Sequence, residues 1–334
     1  MFDVVGVGAN SVDYVYRLPE FPAPDGPAAK LRIRHHAISP GGQTATTLCT
    51  CAAMGLEPTY IGAVGNDDNG ELLRDELTNR SVDTSHLAIR DSNNAFAVIL
   101  LHDAHGERVV LWDRTSELDL EPEEIDPEVI RGARLVHVDD VDEGAAILAA
   151  SIAREAGLPV TSDIERIGSR TGELLAAVSI PIFAEHVLEQ LTGEKDFERG
   201  LRTIAADRPA STASRVAPRP DLGGGGKGPP RTNTPTDAAR ALTAREDMVC
   251  VTLGSRGAMM LAGDRIYRVS GIPVDVVDST GAGDVFRGAF IASLLRGDEP
   301  QEILRFANLA AALSCTRPGA IGGIPTLAEI QALL

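Results

Sequence analysis

The sequence predicts an α/β fold, a three-layer sandwich with a mainly parallel central sheet and a small β-sheet lid. Short apolar segments alternate with helix-like segments along most of the 334 residues. This alternation is typical of a parallel sheet covered by helices on both faces. Two segments break the alternation and are expected to form the small sheet. A chain of this length can bury the core of one large domain, and we expect a single domain over residues 1–334.

Six short apolar segments are predicted as strands of the central sheet: residues 3–8, 59–63, 135–138, 159–162, 181–183 and 249–253. A helix is predicted over residues 43–54, whose apolar residues recur on one face. Gly55 follows its end, where glycine commonly terminates a helix. Residues 274–277, VDVV, are predicted as a further buried strand that leads into an apolar helix.

The small sheet is expected from two segments, about 14–40 and 96–113. The first is rich in proline and short polar–apolar alternations, and the second reads as a hairpin. A lid over a ligand is one use for such a sheet. A contact between two copies of the chain, giving a homodimer through the lid, is another.

Residues 207–236 differ from the rest of the chain in composition. They are dense in Pro, Gly, Ser and Thr and carry five basic residues against two acidic ones. Such a segment cannot bury enough apolar surface to fold on its own. We therefore expect a disordered surface insertion between two elements of the sheet.

Composition excludes several classes of partner. The net charge is −17, and the basic footprint that nucleic-acid phosphates require is not evident. No apolar run approaches the roughly 20 residues of a membrane-spanning helix, and the N-terminus lacks the features of a signal peptide. The four cysteines show neither disulfide nor zinc spacing. We expect a cytoplasmic protein with reduced thiols that acts on small molecules.

The most informative segment is residues 274–288, VDVVDSTGAGDVFRG. The small residues Gly281, Ala282 and Gly283 let the backbone approach a ligand closely. The start of the following helix offers free N–H groups and partial positive charge, an anion hole for a phosphoryl group in transfer. Asp284 lies in the first turn, where a carboxylate can accept the proton of an attacking hydroxyl. A plain helix cap explains this pattern less well.

The same segment resembles the C-terminal signature of the ribokinase-like (PfkB-type) carbohydrate kinases. Gly41-Gly42 with residues 62–70 resembles the family's other signature, and residues 251–257 resemble its nucleotide-side turn. Residues 315–320 resemble a segment near its C-terminal end. The resemblance covers nearly the whole chain apart from residues 207–236. It implies a ribokinase-like fold and ATP-dependent transfer of phosphate to a sugar hydroxyl.

The resemblance also implies roles for individual residues. Asp284 would be the catalytic base, with the amides of residues 282–284 as the anion hole. Sugar-binding residues would be Asp13, Gly41 and Gly42, with Thr46 at the position of a sugar-contacting residue, and Asp140 is a further candidate from its place after a predicted strand. Nucleotide-binding residues would be Gly254, Gly257 and Asn308. Carbonyls near Asp278, Thr280 and Gly319 could hold a monovalent cation such as K⁺, and Mg²⁺ would accompany ATP.

The chain departs from the family pattern at two of these positions. Thr46 stands where many relatives have an asparagine that contacts the sugar. The Asn-x-x-Glu segment that helps to hold magnesium through water is replaced by residues 184–187, AEHV. Glu185 is the candidate to compensate, since Mg²⁺ keeps several waters in any case.

The acceptor is expected to be a neutral sugar. Asp139, Asp140 and Asp142 follow a predicted strand at a position where some relatives carry an arginine, and an acidic wall would repel a sulfonate or phosphate. Two alternatives remain open: a nucleoside kinase on the same fold, and a non-catalytic sensor of sugar or nucleotide. A partial dinucleotide fingerprint at residues 6–11 and a P-loop-like stretch at residues 226–228 are both incomplete.

Overall fold

The structure is a computed structural model that describes residues 1–103, 107–208 and 248–334. In chain order its strands are β1 (Val4–Val7), β2 (Ser11–Leu18), β3 (His35–Gly41), β4 (Pro58–Gly65), β5 (Leu87–Arg90), β6 (Phe96–His102), β7 (Arg108–Asp113), β8 (Leu135–Asp139), β9 (Val160–Ile164), β10 (Ile180–Ala184), β11 (Met248–Thr252), β12 (Ala258–Ala262) and β13 (Arg265–Val269). Its α-helices are α1 (Gln43–Ala53), α2 (Asp68–Asn79), α3 (Pro127–Arg131), α4 (Glu143–Glu155), α5 (Thr171–Ala177), α6 (Glu185–Thr192), α7 (Phe197–Asp207), α8 (Ala282–Arg296), α9 (Pro300–Ser314) and α10 (Leu327–Gln331).

Nine strands form the central sheet, in the order β13-β12-β11-β10-β9-β8-β1-β4-β5. The strands from β11 to β5 are parallel, and β12 runs antiparallel to both of its neighbours. β1 pairs with β4 on one side and with β8 on the other. The strand order therefore reverses at β1, and ligands of open parallel sheets bind beyond the carboxyl ends of the strands at such a reversal.

Helices cover both faces of this sheet and bury two separate apolar clusters. α1, α2, α8, α9 and α10 supply one cluster, in which Leu48 and Phe290 are fully buried. The helices from α3 to α7 supply the other, which includes Ala149 and Leu188. Full burial of one such large side chain stabilises the fold by about 1.5–3 kcal/mol. Helix, sheet and helix are the three layers of the predicted sandwich.

A smaller sheet has the strand order β3-β2-β6-β7. β2 runs antiparallel to β3 and parallel to β6. In its register Asp13 lies beside Ala97, which lies beside Trp112, so these three side chains share one face. The two segments expected to form a small sheet do so, with β2 beginning slightly earlier than predicted. Its role as a lid stays a prediction.

The six predicted strands of the central sheet and the helix after Gly42 are confirmed. The strand predicted at residues 274–277 is wrong: Val276 and Val277 are 64% and 42% exposed, and the segment joins neither sheet. The backbone N–H of Val277 donates to the carbonyl of Cys315 at 2.8 Å, so the segment runs beside the end of α9. Val276 and Val277 face outward, and apolar character alone did not reveal this.

Two further predictions concern the insertion at residues 207–236 and the absence of a membrane-spanning helix. The insertion predicted at residues 207–236 lies outside the described residues, apart from its first two. Among the helices that the structure does describe, none has the length and apolar character needed to cross a membrane.

Candidate active site

A cavity of about 820 Å³ lies beyond the carboxyl ends of β1, β8 and β9, between the central sheet and the smaller one. The start of α8 forms its floor, with Gly281, Ala282, Gly283 and Asp284 among the lining residues. The face of the smaller sheet that carries Asp13 and Trp112 forms its roof. The four residues predicted for catalysis are thus brought to one cavity.

Gly281 is the N-cap of α8 and has φ 74°, a left-handed conformation that favours glycine. A Cβ here would also lie 2.6 Å from the Cβ of Ala320. The amide of Ala282 donates to the carbonyl of Ser279 at 3.3 Å, whereas the amides of Gly283 and Asp284 have no partner among the described residues and are open to a ligand. This is the geometry required of an anion hole.

Asp284 lies in this first turn and is almost fully buried. Burial and the negative charge of Glu165 together raise its pKa from 3.8 to about 8, although Arg287 and a hydrogen bond with Asp163 act in the opposite direction. A carboxyl group with such a pKa can take a proton from a hydroxyl and release it near neutral pH. The environment of Asp284 therefore suits a general base.

Beneath Asp284 lies a buried ion pair that sequence reasoning missed. Arg287 Nη2 lies 2.5 Å from Asp163 Oδ1, and the two side chains are 1% and 0% exposed. One carboxylate oxygen from each of Asp163, Glu165 and Asp284 lies within 4.8 Å of the others, a spacing that a metal ion could bridge. The guanidinium of Arg287 already supplies positive charge there, so we interpret the cluster as an ion-pair network.

Asp13 faces the cavity from β2 and is mostly buried. Burial raises its pKa to about 6, and its carboxylate accepts a hydrogen bond from Ser11 Oγ at 3.1 Å. Gly41 allows Asp13 to lie close, since a Cβ there would be 3.3 Å from Asp13 Oδ2. Gly42 has φ 97°, and a Cβ there would lie 2.3 Å from the Cα of Asn10. The predicted sugar-binding residues Asp13 and Gly42 both line the cavity.

The acidic wall expected from Asp139, Asp140 and Asp142 does not form as predicted. Asp139 is fully buried and accepts hydrogen bonds from the amide of Ala9 and the hydroxyl of Thr44. Asp142 caps α4. Only Asp140 of the three lines the main cavity. Its Oδ2 accepts two backbone hydrogen bonds, and its Oδ1 lies 3.8 Å from Arg166 Nη2 in an ion pair.

Thr46 does not line the cavity, although the sequence placed it at a sugar-contacting position. It is fully buried in α1 beneath residues 281–284, where its methyl group would lie 3.4 Å from a Cβ on Gly281. Gln43, one turn earlier, lines the cavity instead. Its side-chain nitrogen is buried with no hydrogen-bond partner in the described part of the chain. The sequence carried no signal that distinguished the two.

Three arginines also line the cavity: Arg108, Arg114 and Arg166. Arg114 is held by an ion pair with Asp119. Arg166 lies over the ring of Trp112, 5.4 Å from its centroid. Arg108 makes no ion pair with any residue that the structure describes, and its Nη1 donates to Ser279 Oγ at 3.4 Å. None of these cations was singled out from the sequence.

The residues predicted to bind the nucleotide lie elsewhere on the same edge of the central sheet. Gly254 and Gly257 flank the turn between β11 and β12 and have φ 56° and 99°. Asn308 on α9 donates to the carbonyl of Ser270 at 3.0 Å. These three residues are not among those lining the cavity. Their role in binding ATP stays a prediction.

The residues predicted around a monovalent cation are brought together by hydrogen bonds. The two carboxylate oxygens of Asp278 accept from the amides of Thr280 and Gly319, each at 2.9 Å. Glu185, predicted to hold Mg²⁺ through water, instead forms an ion pair with Arg256 and does not line the cavity. The structure therefore offers no free carboxylate from Glu185 to the phosphoryl position.

An anion-binding helix start, an adjacent buried carboxyl group and a roofed cavity define a small-molecule kinase. The family model described as pfkB family carbohydrate kinase matches residues 1–327. The chain belongs to that family, and it is a carbohydrate kinase that transfers phosphate to an alcohol group. The family resemblance read from the sequence is confirmed.

Similar proteins cover the whole chain. It is 31% identical over 336 residues to the ATP-dependent ribose-1-phosphate kinase of Halopiger xanaduensis, which covers 100% of this chain and 98% of the relative. Its fold is similar to that of ribokinase from Giardia lamblia, with a TM-score of 0.79, 18% identity and 100% of both chains covered. Arabidopsis thaliana ribokinase complexed with ribose and ATP gives a TM-score of 0.74 at 22% identity, over 99% of this chain and 98% of that one. The predicted fold class is confirmed.

Proposed function

We propose that the chain transfers the γ-phosphate of ATP to a hydroxyl of a sugar, with Asp284 as the general base. One observation carries this proposal: Asp284 lies beside the open N–H groups of α8 at the floor of the cavity. A sugar hydroxyl beside the carboxylate and a phosphoryl group at the helix start would be in reacting position. Few other chemistries require both groups at one point.

In the proposed step, the hydroxyl proton moves to a carboxylate oxygen of Asp284 while the hydroxyl oxygen attacks the γ-phosphorus. The bond from phosphorus to the bridging oxygen breaks, and ADP leaves. Negative charge on the transferred group is stabilised by the amides of residues 282–284 and by the positive end of α8. Mg²⁺ bound to the ATP phosphates would neutralise further charge. K⁺ near Asp278, Thr280 and Gly319 remains part of the proposal.

The acceptor expected from the sequence is a neutral sugar, and Asp13 supports that proposal. Its carboxylate faces the cavity and can accept hydrogen bonds from two adjacent hydroxyls. Asp140 Oδ1 accepts no hydrogen bond among the described residues and could accept one from the sugar beside its ion pair with Arg166. A pentose or ketose presents several hydroxyl donors of this kind.

A sugar phosphate is the second candidate acceptor, favoured by a different observation. Arg108 faces the cavity and lacks an ion pair within the described residues. The expected acidic wall is reduced to Asp140, so its repulsion of an anion is weaker than the sequence suggested. The name of the Halopiger relative agrees with this candidate.

Two alternatives are less well supported. A nucleoside kinase needs an apolar surface for a base, and Phe96 and Trp112 are the aromatic residues at the cavity. A non-catalytic sensor has no need of a buried base beside an anion hole. A homodimer through the smaller sheet stays a prediction, supported by Ile38 and Leu111, which are exposed on its outer face.

Formation of ADP from ATP, measured with ribose, fructose, ribose 1-phosphate and adenosine as acceptors, tests the proposal. Turnover of any sugar that disappears in the Asp284→Asn variant supports the assignment of the base. Turnover of ribose alone favours the neutral acceptor, and turnover of ribose 1-phosphate alone favours the anionic one. A variant that keeps normal turnover would reject Asp284 as the base.

A further inference from the structure

The side chain of Arg287 is buried and held between the carboxylates of Asp163 and Glu165. It lies one helical turn after Asp284, so both side chains project from the same face of α8. Its guanidinium reaches back toward the helix start, where Nη1 would lie 2.6 Å from a Cβ on Gly283. Nη2 contacts Asp163 at the end of β9, and Nη1 is 4.0 Å from Glu165. A full positive charge is thus buried directly under the candidate base.

The hydrogen bonding of this pair is incomplete. Nη2 of Arg287 contacts Asp163 Oδ1 at 2.5 Å, whereas Nε and Nη1 are buried without a hydrogen-bond partner in the described residues. A pair that served stability alone would be expected to satisfy these atoms, because a buried ion pair stabilises only when the geometry is good. Apolar residues of similar volume would stabilise a core at least as well. The charges therefore call for another explanation.

We propose that Asp163 and Arg287 are positioning residues for the reaction, and that this ion pair sets the charge state and direction of the catalytic carboxylate. The inference rests on Asp284 being the base. Two carboxyl groups this close in a buried site cannot both ionise easily, so they titrate as a pair. One guanidinium balances one negative charge on that pair. This leaves a single carboxylate available to receive the proton of the acceptor hydroxyl.

Other charged and titratable groups face the pair from the packed elements. Those on β8 and its end are His137, Asp139 and Asp140; Glu165 follows β9; Cys250 lies on β11. Burial and Arg287 lower the pKa of His137 to about 3, so this ring stays neutral. Burial raises the pKa of Cys250, which stays a thiol. Arg287 is accordingly the one fully buried cation of the described network, against several carboxyl groups.

This arrangement predicts opposite effects for its two members. Loss of Arg287 leaves the carboxyl pair without its cation, so the acid limb of the profile of kcat/KM against pH should move to higher pH. When the charge on Asp163 is removed, the positive charge of Arg287 acts on Asp284 alone. The acid limb of the profile should then move to lower pH. Each shift should be about one pH unit or more, as for other close buried charges.

The test compares the full-length Arg287→Met and Asp163→Asn variants with the wild type, using ATP and the acceptor sugar that is turned over best. Opposite displacements of the acid limb, with little change in KM for ATP, support the proposal. An unchanged limb in either variant overturns it. Arg287→Lys keeps the charge, so it should restore the limb toward its wild-type position.

A double variant that is expected to fold tests the balance between the two charges. Asp163→Leu with Arg287→Met replaces the ion pair by apolar groups and is expected to fold. Its acid limb should lie close to the wild-type position, because the two opposite effects cancel, and a limb displaced as far as in Arg287→Met would contradict the charge balance. Arg134→Met is the matched control, because its ion pair with Asp3 lies at the opposite end of β1. Activity that survives Asp284→Asn would refute the proposed base instead.

Discussion

Replacing Asp284 with asparagine should reduce activity and at the same time stabilise the fold. The amide keeps the shape of the side chain but cannot accept the hydroxyl proton, so kcat should fall by about 10² to 10⁴. The effect on stability follows from burial. The pKa of Asp284 rises from 3.8 to about 8 in the folded protein.

The sign of the stability change follows from proton binding. Between about pH 4 and pH 8 the folded protein binds a proton at Asp284 that the unfolded chain has released. The free energy of unfolding therefore falls as pH rises through this window. At 1.36 kcal/mol per pKa unit, the whole effect is on the order of 5 kcal/mol. Asparagine does not titrate, so the free energy of unfolding of the variant does not decrease through this pH window on account of residue 284.

Urea unfolding of the wild type and of Asp284→Asn at several pH values between 5 and about 8.5 measures the difference. The variant should be the more stable protein, by a margin that grows with pH. Asp83→Asn is a control of opposite sign, because hydrogen bonds from Ser85 and Thr59 lower the pKa of Asp83. That variant should be less stable at neutral pH. A margin for Asp284→Asn that stays constant or shrinks as pH rises would refute the reasoning.

Four further predictions concern binding, titration and assembly. Asp13→Ala should raise KM for the sugar strongly while leaving KM for ATP nearly unchanged, in steady-state assays. The kcat/KM of the wild type should increase as pH rises toward 8, because Asp284 must be ionised to act; a flat profile would contradict this. Deleting residues 207–236 with a short linker should change activity and melting temperature little, since loop-closure entropy depends weakly on length. Leu111→Asp should weaken a dimer through the smaller sheet in sedimentation experiments without changing kcat, if that contact forms.

Sequence reasoning found the parts of the fold that depend on local pattern. The buried parallel strands read as short apolar runs because both of their faces pack against helices. The same criterion failed at residues 274–277, where Val276 and Val277 are exposed. Hydrophobicity reports that a segment can be buried. It does not report whether a neighbouring strand has a free edge to receive it.

The site was predictable where one motif carries it. Asp284 and its glycines lie together in sequence, so their geometry follows from a helix start. Asp163 and Arg287 are 124 positions apart, and nothing local marks an arginine in the middle of an apolar helix as the partner of a distant aspartate. Thr46 and Gln43 differ by less than a helical turn, and only packing decides which of the two reaches the cavity.

Gly283 has a second structural role in this chain, because its lack of a side chain leaves room for Arg287. A methyl group there would collide with the guanidinium of Arg287 as well as narrow the approach to the phosphoryl group. We therefore expect substitutions at positions 283 and 287 to be correlated among related chains. Among related chains, an alanine at the first position should be found only where the second has lost its arginine. An alanine introduced at position 283 alone would require the guanidinium of Arg287 to move away from the start of α8.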